Sequence, residues 1–463
     1  MMARGEPPGT SMTQLVRTLR LRDLLLLFIG SVIGSGIFLA PAIVLREVGG
    51  SVGLSLLVWI AGGALSLMGA LTYAELAAAN PEAGGLYCYI RDAFGRLPAF
   101  LYGWCLFLII AGATIAALAR AFVQYLAEII PLKPWEANLL AILMITAVTA
   151  VNIRGTRESA DLQNWTTLVK AGLVVLLSAV LLSMGHHGGE LGVSLGGSRH
   201  GFSLLSSFGL AMIAVLWAYE GWQFGTYSAG EVLEPQKVFP KAFLAGSLIL
   251  IGLYIIAVLG YLIALGPRGA TASDAIAAAA AKVVLGPWAG KLVAATILIS
   301  VFSSTNSVVL TAPRVFYAMS RDKLFFKTLA EVHPKFRTPA AAILALGIWA
   351  TLLTSAGNFY QLAQGVIFIG WIFYGLAAAA VFPLRRAASG RALPYRVPGY
   401  PWTPLLFVLA ASAIVGNGII AAVRDPGQFK NLVGAILLLA LGVPAYYFWQ
   451  RRSRRIAAAT TAD

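Results

Sequence analysis

Residues Ile33-Gly34-Ser35-Gly36-Ile37 interrupt an apolar run that is otherwise long enough to cross a membrane, close to its middle. Two glycines around a serine release the backbone from helical geometry. A helix restarting near Gly36–Ile37 opens with amides that have no intrahelical acceptor. Those amides and the positive end of the helix dipole favour an anion, and a carboxylate is the natural small one. A second interruption, Trp217-Ala218-Tyr219-Glu220-Gly221-Trp222, lies inside another apolar run. A helix stopping near Trp217 leaves carbonyls that can accept from an ammonium. Trp217 and Tyr219 offer faces that can cover a solute or stack on a cation. As a pair the breaks suit a zwitterion, one end taking its negative pole and the other its positive pole. Irregular backbone at membrane depth must be buried or line a cavity, and two interrupted spans in corresponding places of two chain halves point to a transporter's binding site. Plainer readings remain beside these: close helix packing through Gly30, Gly34 and Ser35, and ordinary packing or an interfacial belt for the aromatics.

Two charged residues lie inside apolar runs, where ionisable groups are costly and functional by default. Glu220 can carry a coupling proton, bind a substrate cation, or hold the break by accepting backbone amides. Lys170 is the basic residue of the fifth run. It can snorkel to the interface, or stand as a fixed ammonium on broken-helix carbonyls, where a sodium ion would otherwise sit. Ser303-Ser304-Thr305-Asn306-Ser307 in the eighth run supplies hydroxyl partners.

These residues need helices that cross a bilayer, and the composition provides them. Of 463 residues, 59% are hydrophobic and only 11% charged, with mean hydropathy +0.80, against about 25% charged in a soluble domain. Runs of about 20 apolar residues give twelve expected spans, roughly 22–48, 52–78, 97–130, 137–154, 160–184, 205–230, 241–266, 288–319, 339–356, 361–385, 401–423 and 429–450. The net charge of +15 is distributed as a topology signal: segments on the N-terminal side hold 25 of the 34 lysines and arginines, and the other side holds 9. The positive-inside rule then places both termini in the cytoplasm, with no nucleic-acid role. No signal peptide is expected before the first span. Cys88 and Cys105 have neither metal-ligand spacing nor an oxidising compartment, so buried packing is expected for both. His186, His187 and His200 lack further ligands. No metal, cofactor, catalytic triad or phosphate loop is expected, and the chain is read as a non-enzyme.

Five spans precede the polar segment 185–201 and five follow it before Arg386. An odd count inverts the second copy. The expected fold is therefore an all-α polytopic membrane protein with twelve transmembrane helices and a five-plus-five inverted repeat, broken in helices 1 and 6, plus two C-terminal helices. Its parts are a cytoplasmic tail (1–21), a first repeat (22–185), an inverted repeat (202–386), helices 11 and 12 (387–450) and a basic tail (451–463). Ser273-Asp274 reads as the cap of an amphipathic helix over 271–285 on the external face.

The strings IGSGIFLAP (33–41), LWAYEGWQ with GEVLEPQKVFPKA (230–242), and TAPRVFYAMSRD (311–322) resemble the L-type amino acid transporter family of the amino acid–polyamine–organocation superfamily. The resemblance implies sodium-independent amino acid transport, commonly by exchange. It implies a substrate carboxylate at Ile33, Gly34, Ser35, Gly36 and Ile37, and an amino group near carbonyls of Ile33, Trp217, Ala218 and Tyr219, with Gly221 closing the second break. It makes Trp217 an extracellular gate, and sets Lys170 against the backbone around Gly30 and an eighth-span serine, most plausibly Ser304. The loop after the third span, 130–136, lacks the cysteine by which animal members bind a glycoprotein, so no disulfide-linked heavy chain is expected. Exchange of neutral L-amino acids in the cell (inner) membrane is the leading expectation. Proton-coupled symport is the alternative, and a non-transporting amino acid sensor a weaker one.

Overall fold

The computed structural model describes residues 15–190, 202–356, 359–389, 392–424 and 426–460. Among them the chain is helical, with one isolated parallel bridge, Leu19 to Val232, and no strand. The first expected span is two helices, α1 (Leu21–Val32) and α2 (Gly36–Glu47), bent by 47° at the intervening residues. Asp23 in the first turn of α1 accepts from the Arg20 amide at 2.9 Å, an N-terminal lock that also offsets the helix dipole. Next come α3 (Val52–Ala79), opened by Ser51 accepting from the Leu54 amide, the short α4 (Leu86–Phe94), and α5 (Arg96–Cys105). A π-helical turn, Leu106–Ala111, joins α5 to α6 (Gly112–Ala127). Then follow α7 (Pro134–Arg154) and α8 (Thr156–Met184).

The second half opens with α9 (Phe202–Ala218), a turn, and a 3₁₀ segment, Trp222–Glu231. It continues with α10 (Pro235–Ala272), α11 (Ile276–Leu285), α12 (Ala289–Thr311), α13 (Pro313–Arg321), α14 (Ala340–Ala356), α15 (Phe359–Ala379) and α16 (Val381–Ala387). Two helices complete the chain, α17 (Trp402–Arg424) and α18 (Pro426–Thr460). Among the described residues eight helical stretches, counting α5 through α6 and α12 with α13 as one each, are long and apolar enough to cross a bilayer, nine if α1 and α2 count as one span. The remaining expected spans fall on α9, α14 and α15.

Several details depart from the sequence reading. The helix expected over 271–285 starts at Ile276; Ser273 and Asp274 lie outside it and are held by Arg46, whose Nη2 donates to the Ser273 carbonyl at 2.5 Å and to Asp274 Oδ1 at 2.8 Å. Past the last expected span, which ends at 450, α18 runs on through Thr460. Cys88 sits on α4, and both cysteines are buried and unpaired. Residues 1–14, 191–201 (with His200) and 461–463 lie outside the described residues.

Candidate functional site

The two breaks meet. α2 packs on α9, and α1 packs on the 3₁₀ segment that follows α9. Contact is close because Gly36 has no side chain: a Cβ there would lie 2.8 Å from Ala218 Cα and 2.9 Å from its Cβ. Gly221 holds φ +122, and a Cβ on it would also strike the Ser31 carbonyl at 2.6 Å, so both steric conditions favour glycine. Tyr254 on α10 bridges the pair, its hydroxyl lying 3.1 Å from both the Val32 and the Ala218 carbonyl.

The end of α1 is saturated by protein donors. Lys170 is fully buried; its Nζ donates to the Gly30 carbonyl at 2.5 Å, the Ile33 carbonyl at 2.7 Å and the Ser300 carbonyl at 3.4 Å. An ammonium has three protons, and each finds an acceptor inside the bundle, so the side chain does not reach a membrane boundary. Ser300 Oγ donates to the Ile33 carbonyl at 2.7 Å. Ser304 Oγ lies 3.5 Å from the Gly30 carbonyl and 3.4 Å from the Ile33 carbonyl. The eighth-span residue that Lys170 itself touches is thus Ser300; Ser304 shares its acceptors. Ser300 and Ser304 are four residues apart, on one helix face, which is the signal that could have found Ser300. The Ile33 carbonyl, expected to meet a substrate amino group, already accepts from Lys170 and Ser300 at 2.7 Å each, which occupies its two lone pairs.

The start of α2 is free by contrast. Gly36 and Ile37 lie in its first turn, and the Ser35 side chain makes no cap bond. Ser35 and Phe38 line a cavity of about 520 Å³ that runs to the C-terminal end of α6 and to α11, with Glu128, Asp274, Lys282 and Lys291 in its wall. Residues 217–221 do not line this cavity.

At the second break, the Trp217 carbonyl accepts from the Glu220 amide at 3.2 Å and the Val215 carbonyl from the Tyr219 amide at 2.9 Å. Trp217 is half-buried. The Tyr219 ring packs into an aromatic cluster, 5.8 Å from Trp59 and 4.9 Å from Tyr254, centroid to centroid. Glu220 Oε1 accepts from the Tyr374 hydroxyl at 2.9 Å, and the Gly221 amide donates to Gln223 Oε1 at 3.1 Å. Tyr254, Tyr374 and Gln223 carried no mark in the sequence, since a single polar group in an apolar run has no periodicity to betray it.

Below the breaks, the segment entering α1 is tied to the end of the 3₁₀ segment. Thr18 and Leu19 amides both donate to the Glu231 carbonyl at 2.9 Å, and the Leu233 amide to the Leu19 carbonyl at 2.8 Å. The Glu231 carboxylate is fully buried against Arg314 at 2.6 and 3.0 Å, and the Thr156 hydroxyl donates to it at 2.6 Å. This pair fastens the end of the 3₁₀ segment to α13 and α8, and it uses the glutamate and arginine of the strings GEVLEP and TAPRVF. Removing one partner of a buried pair strands the other charge and typically costs about 3–5 kcal/mol.

Helix content, apolar spans and paired breaks define a polytopic helical membrane protein of the transporter class. The chain belongs to the amino acid permease family, whose profile matches residues 19–441. It is 32% identical over 437 residues to the serine/threonine exchanger SteT of Bacillus subtilis, covering 92% of this chain and 95% of that protein. It is 32% identical over 460 residues to the human cystine/glutamate transporter (97% and 89% covered) and 29% identical over 446 residues to the human large neutral amino acids transporter small subunit 2 (92% and 80%). The family and these relatives are transporters, not enzymes.

Proposed function

We propose that this protein is a sodium-independent exchanger of neutral L-amino acids, working by alternating access in the cell membrane. The observation that carries the reading is the contact of Gly36 with Ala218, which sets the free amides of α2 beside the terminal carbonyls of α9. In this reading a substrate carboxylate binds at Gly34, Ser35, Gly36 and Ile37. Its ammonium takes the second lone pairs of the Trp217 and Ala218 carbonyls beside Tyr219 and Gly221, and Trp217 gates the approach. Twelve spans in two inverted five-helix repeats (22–185 and 202–386), with helices 11 and 12 over 387–450 and both termini cytoplasmic, complete the architecture. Rocking of one repeat against the other moves the site between the two faces. The cavity at Ser35 and the backbone bonds and buried Glu231–Arg314 pair on the N-terminal side support access from one face at a time. No disulfide-linked heavy chain is part of this reading.

Counterflow in proteoliposomes tests it. Efflux of preloaded labelled amino acid that depends strictly on external substrate supports exchange, and a panel of twenty competitors sets the specificity. Because the Lys170 ammonium occupies the carbonyls a sodium ion would need, replacing sodium by choline is expected to leave flux unchanged. A drop of tenfold would overturn sodium independence. One observation favours a second reading, proton-coupled symport: Glu220 is a carboxylate at the break with a hydroxyl donor on it. Uphill uptake into empty vesicles driven by a pH gradient would select it.

Tyr254→Phe removes the hydroxyl shared by the two breaks without changing volume. A neutral hydrogen bond is worth about 0.5–1.5 kcal/mol, so exchange is expected to slow several-fold with little loss of folded protein. An unchanged rate would show that the bridge is incidental.

A further inference from the structure

Where α1 enters the bundle, a hollow of about 670 Å³ is walled by Arg17, Arg20, Arg22 and Arg157 with Asp23 and Asp161. Both carboxylates belong to Arg157: its Nη1 donates to Asp23 at 2.8 Å, and it also pairs with Asp161. Asp23 is further satisfied by Asn164 Nδ2 at 2.6 Å. Arg17, Arg20 and Arg22 are exposed, and none makes an ion pair among the described residues. Three exposed guanidinium groups therefore share one concavity with the Arg157–Asp23–Asp161 cluster, and its four arginines outnumber its two carboxylates. The guanidinium fork matches phosphate oxygens bidentately.

Aliphatic side chains adjoin the arginines. Leu233 lines the hollow and is 39% exposed, and Leu21 and Val16, next in sequence to lining arginines, are 40% and 47% exposed. The apolar run of α1 begins within one turn, at Leu24. Arginines at a hollow edged by exposed aliphatic side chains, at the depth where a span leaves the bilayer, match a phosphate headgroup that still carries its acyl chains. A free inorganic anion would need no such rim. We propose that this hollow binds the phosphate of an anionic membrane lipid. Thr18 and Leu233 also wall it. They flank the backbone bonds that join the N-terminal segment to Glu231, so an occupant clamps that seam.

The test uses the purified full chain in neutral detergent. Thermal melting is followed while phosphatidylglycerol, phosphatidylcholine or sodium phosphate is added. Phosphatidylglycerol is expected to raise the melting temperature with saturation, and phosphatidylcholine not. Each basic residue at a membrane surface contributes roughly fivefold in affinity, so R17Q/R20Q/R22Q should weaken the phosphatidylglycerol effect on the order of a hundredfold. R451Q/R452Q, at the far end of the chain, should leave it intact. Equal stabilisation by the two lipids overturns the proposal, as does an equal loss in R451Q/R452Q, which would mark a diffuse charge effect. Stabilisation by sodium phosphate at the same concentration as phosphatidylglycerol would replace the lipid with a free anion. If the triple variant does not fold, the comparison of the two lipids on the unaltered chain still decides.

Discussion

Replacing Lys170 by alanine is expected to slow exchange at least tenfold while the protein still folds. The two consequences come apart for a physical reason. The ammonium is buried, and taking a charge out of water is costly even when it is paired, so deleting it relieves a penalty that offsets the bonds lost. What disappears is the tie between α8 and the broken end of α1, at the Gly30 and Ile33 carbonyls. The Ser300 hydroxyl still holds Ile33 at 2.7 Å, but Ser304 at 3.4–3.5 Å is a poor substitute at Gly30. A buried carbonyl left unpaired costs about 1–3 kcal/mol, enough to let α1 settle in another position and disfavour the conformations that alternate. Counterflow in proteoliposomes beside a thermal melt checks this. Normal flux with a normal melt would make the ammonium a passive filler. A collapsed melt would make it a folding residue.

Gly36→Val is expected to abolish measurable binding, an affinity loss on the order of a hundredfold or more. The sequence suggests a valine would obstruct the amides; the structure adds a stronger cause. A Cβ at 36 meets backbone, Ala218 Cα at 2.8 Å, and backbone cannot swing aside as the end of a long side chain can. The two breaks must part, and the amide and carbonyl ends part with them. Gly34→Ala is the matched control, since its Cβ would rest 3.8 Å from Ser304 Oγ and 3.9 Å from the Val32 carbonyl, ordinary van der Waals distances. Binding of labelled substrate to purified protein is expected to survive Gly34→Ala within a few-fold. Equal loss in both variants would show that flexibility at the break matters and the contact with Ala218 does not.

Much of this site was legible because lipid makes sequence signals sharp. A Gly-Ser-Gly inside an apolar run has few explanations at membrane depth, and the breaks at 33–35 and 219–221 fall where those residues place them. A lone lysine in a span either snorkels or needs acceptors, and only the family resemblance pointed to the backbone around Gly30. The eighth-span partner was harder to read: the run Ser303–Ser307 drew the eye, whereas Ser300, one turn earlier, supplies the carbonyl that Lys170 reaches. The π-turn at Leu106–Ala111, the continuation of α18 past the bilayer and the later start of α11 left no mark, because helix ends and local register depend on neighbours that hydropathy does not name.

Taken alone, the residues of this chain determined that it spans a membrane many times, that two spans are interrupted, and that one lysine lies inside an apolar run. Those are properties of single segments, set by backbone freedom and by the cost of moving charge or bare amides into lipid. Tertiary structure decided which ends meet: that Gly36 rests on Ala218, that Tyr254 bridges both breaks, that the Ile33 carbonyl is spent on Lys170 and Ser300, and that Glu231 finds Arg314. Helical periodicity fixes the faces of one helix, but which face another helix covers depends on the packing of all of them at once.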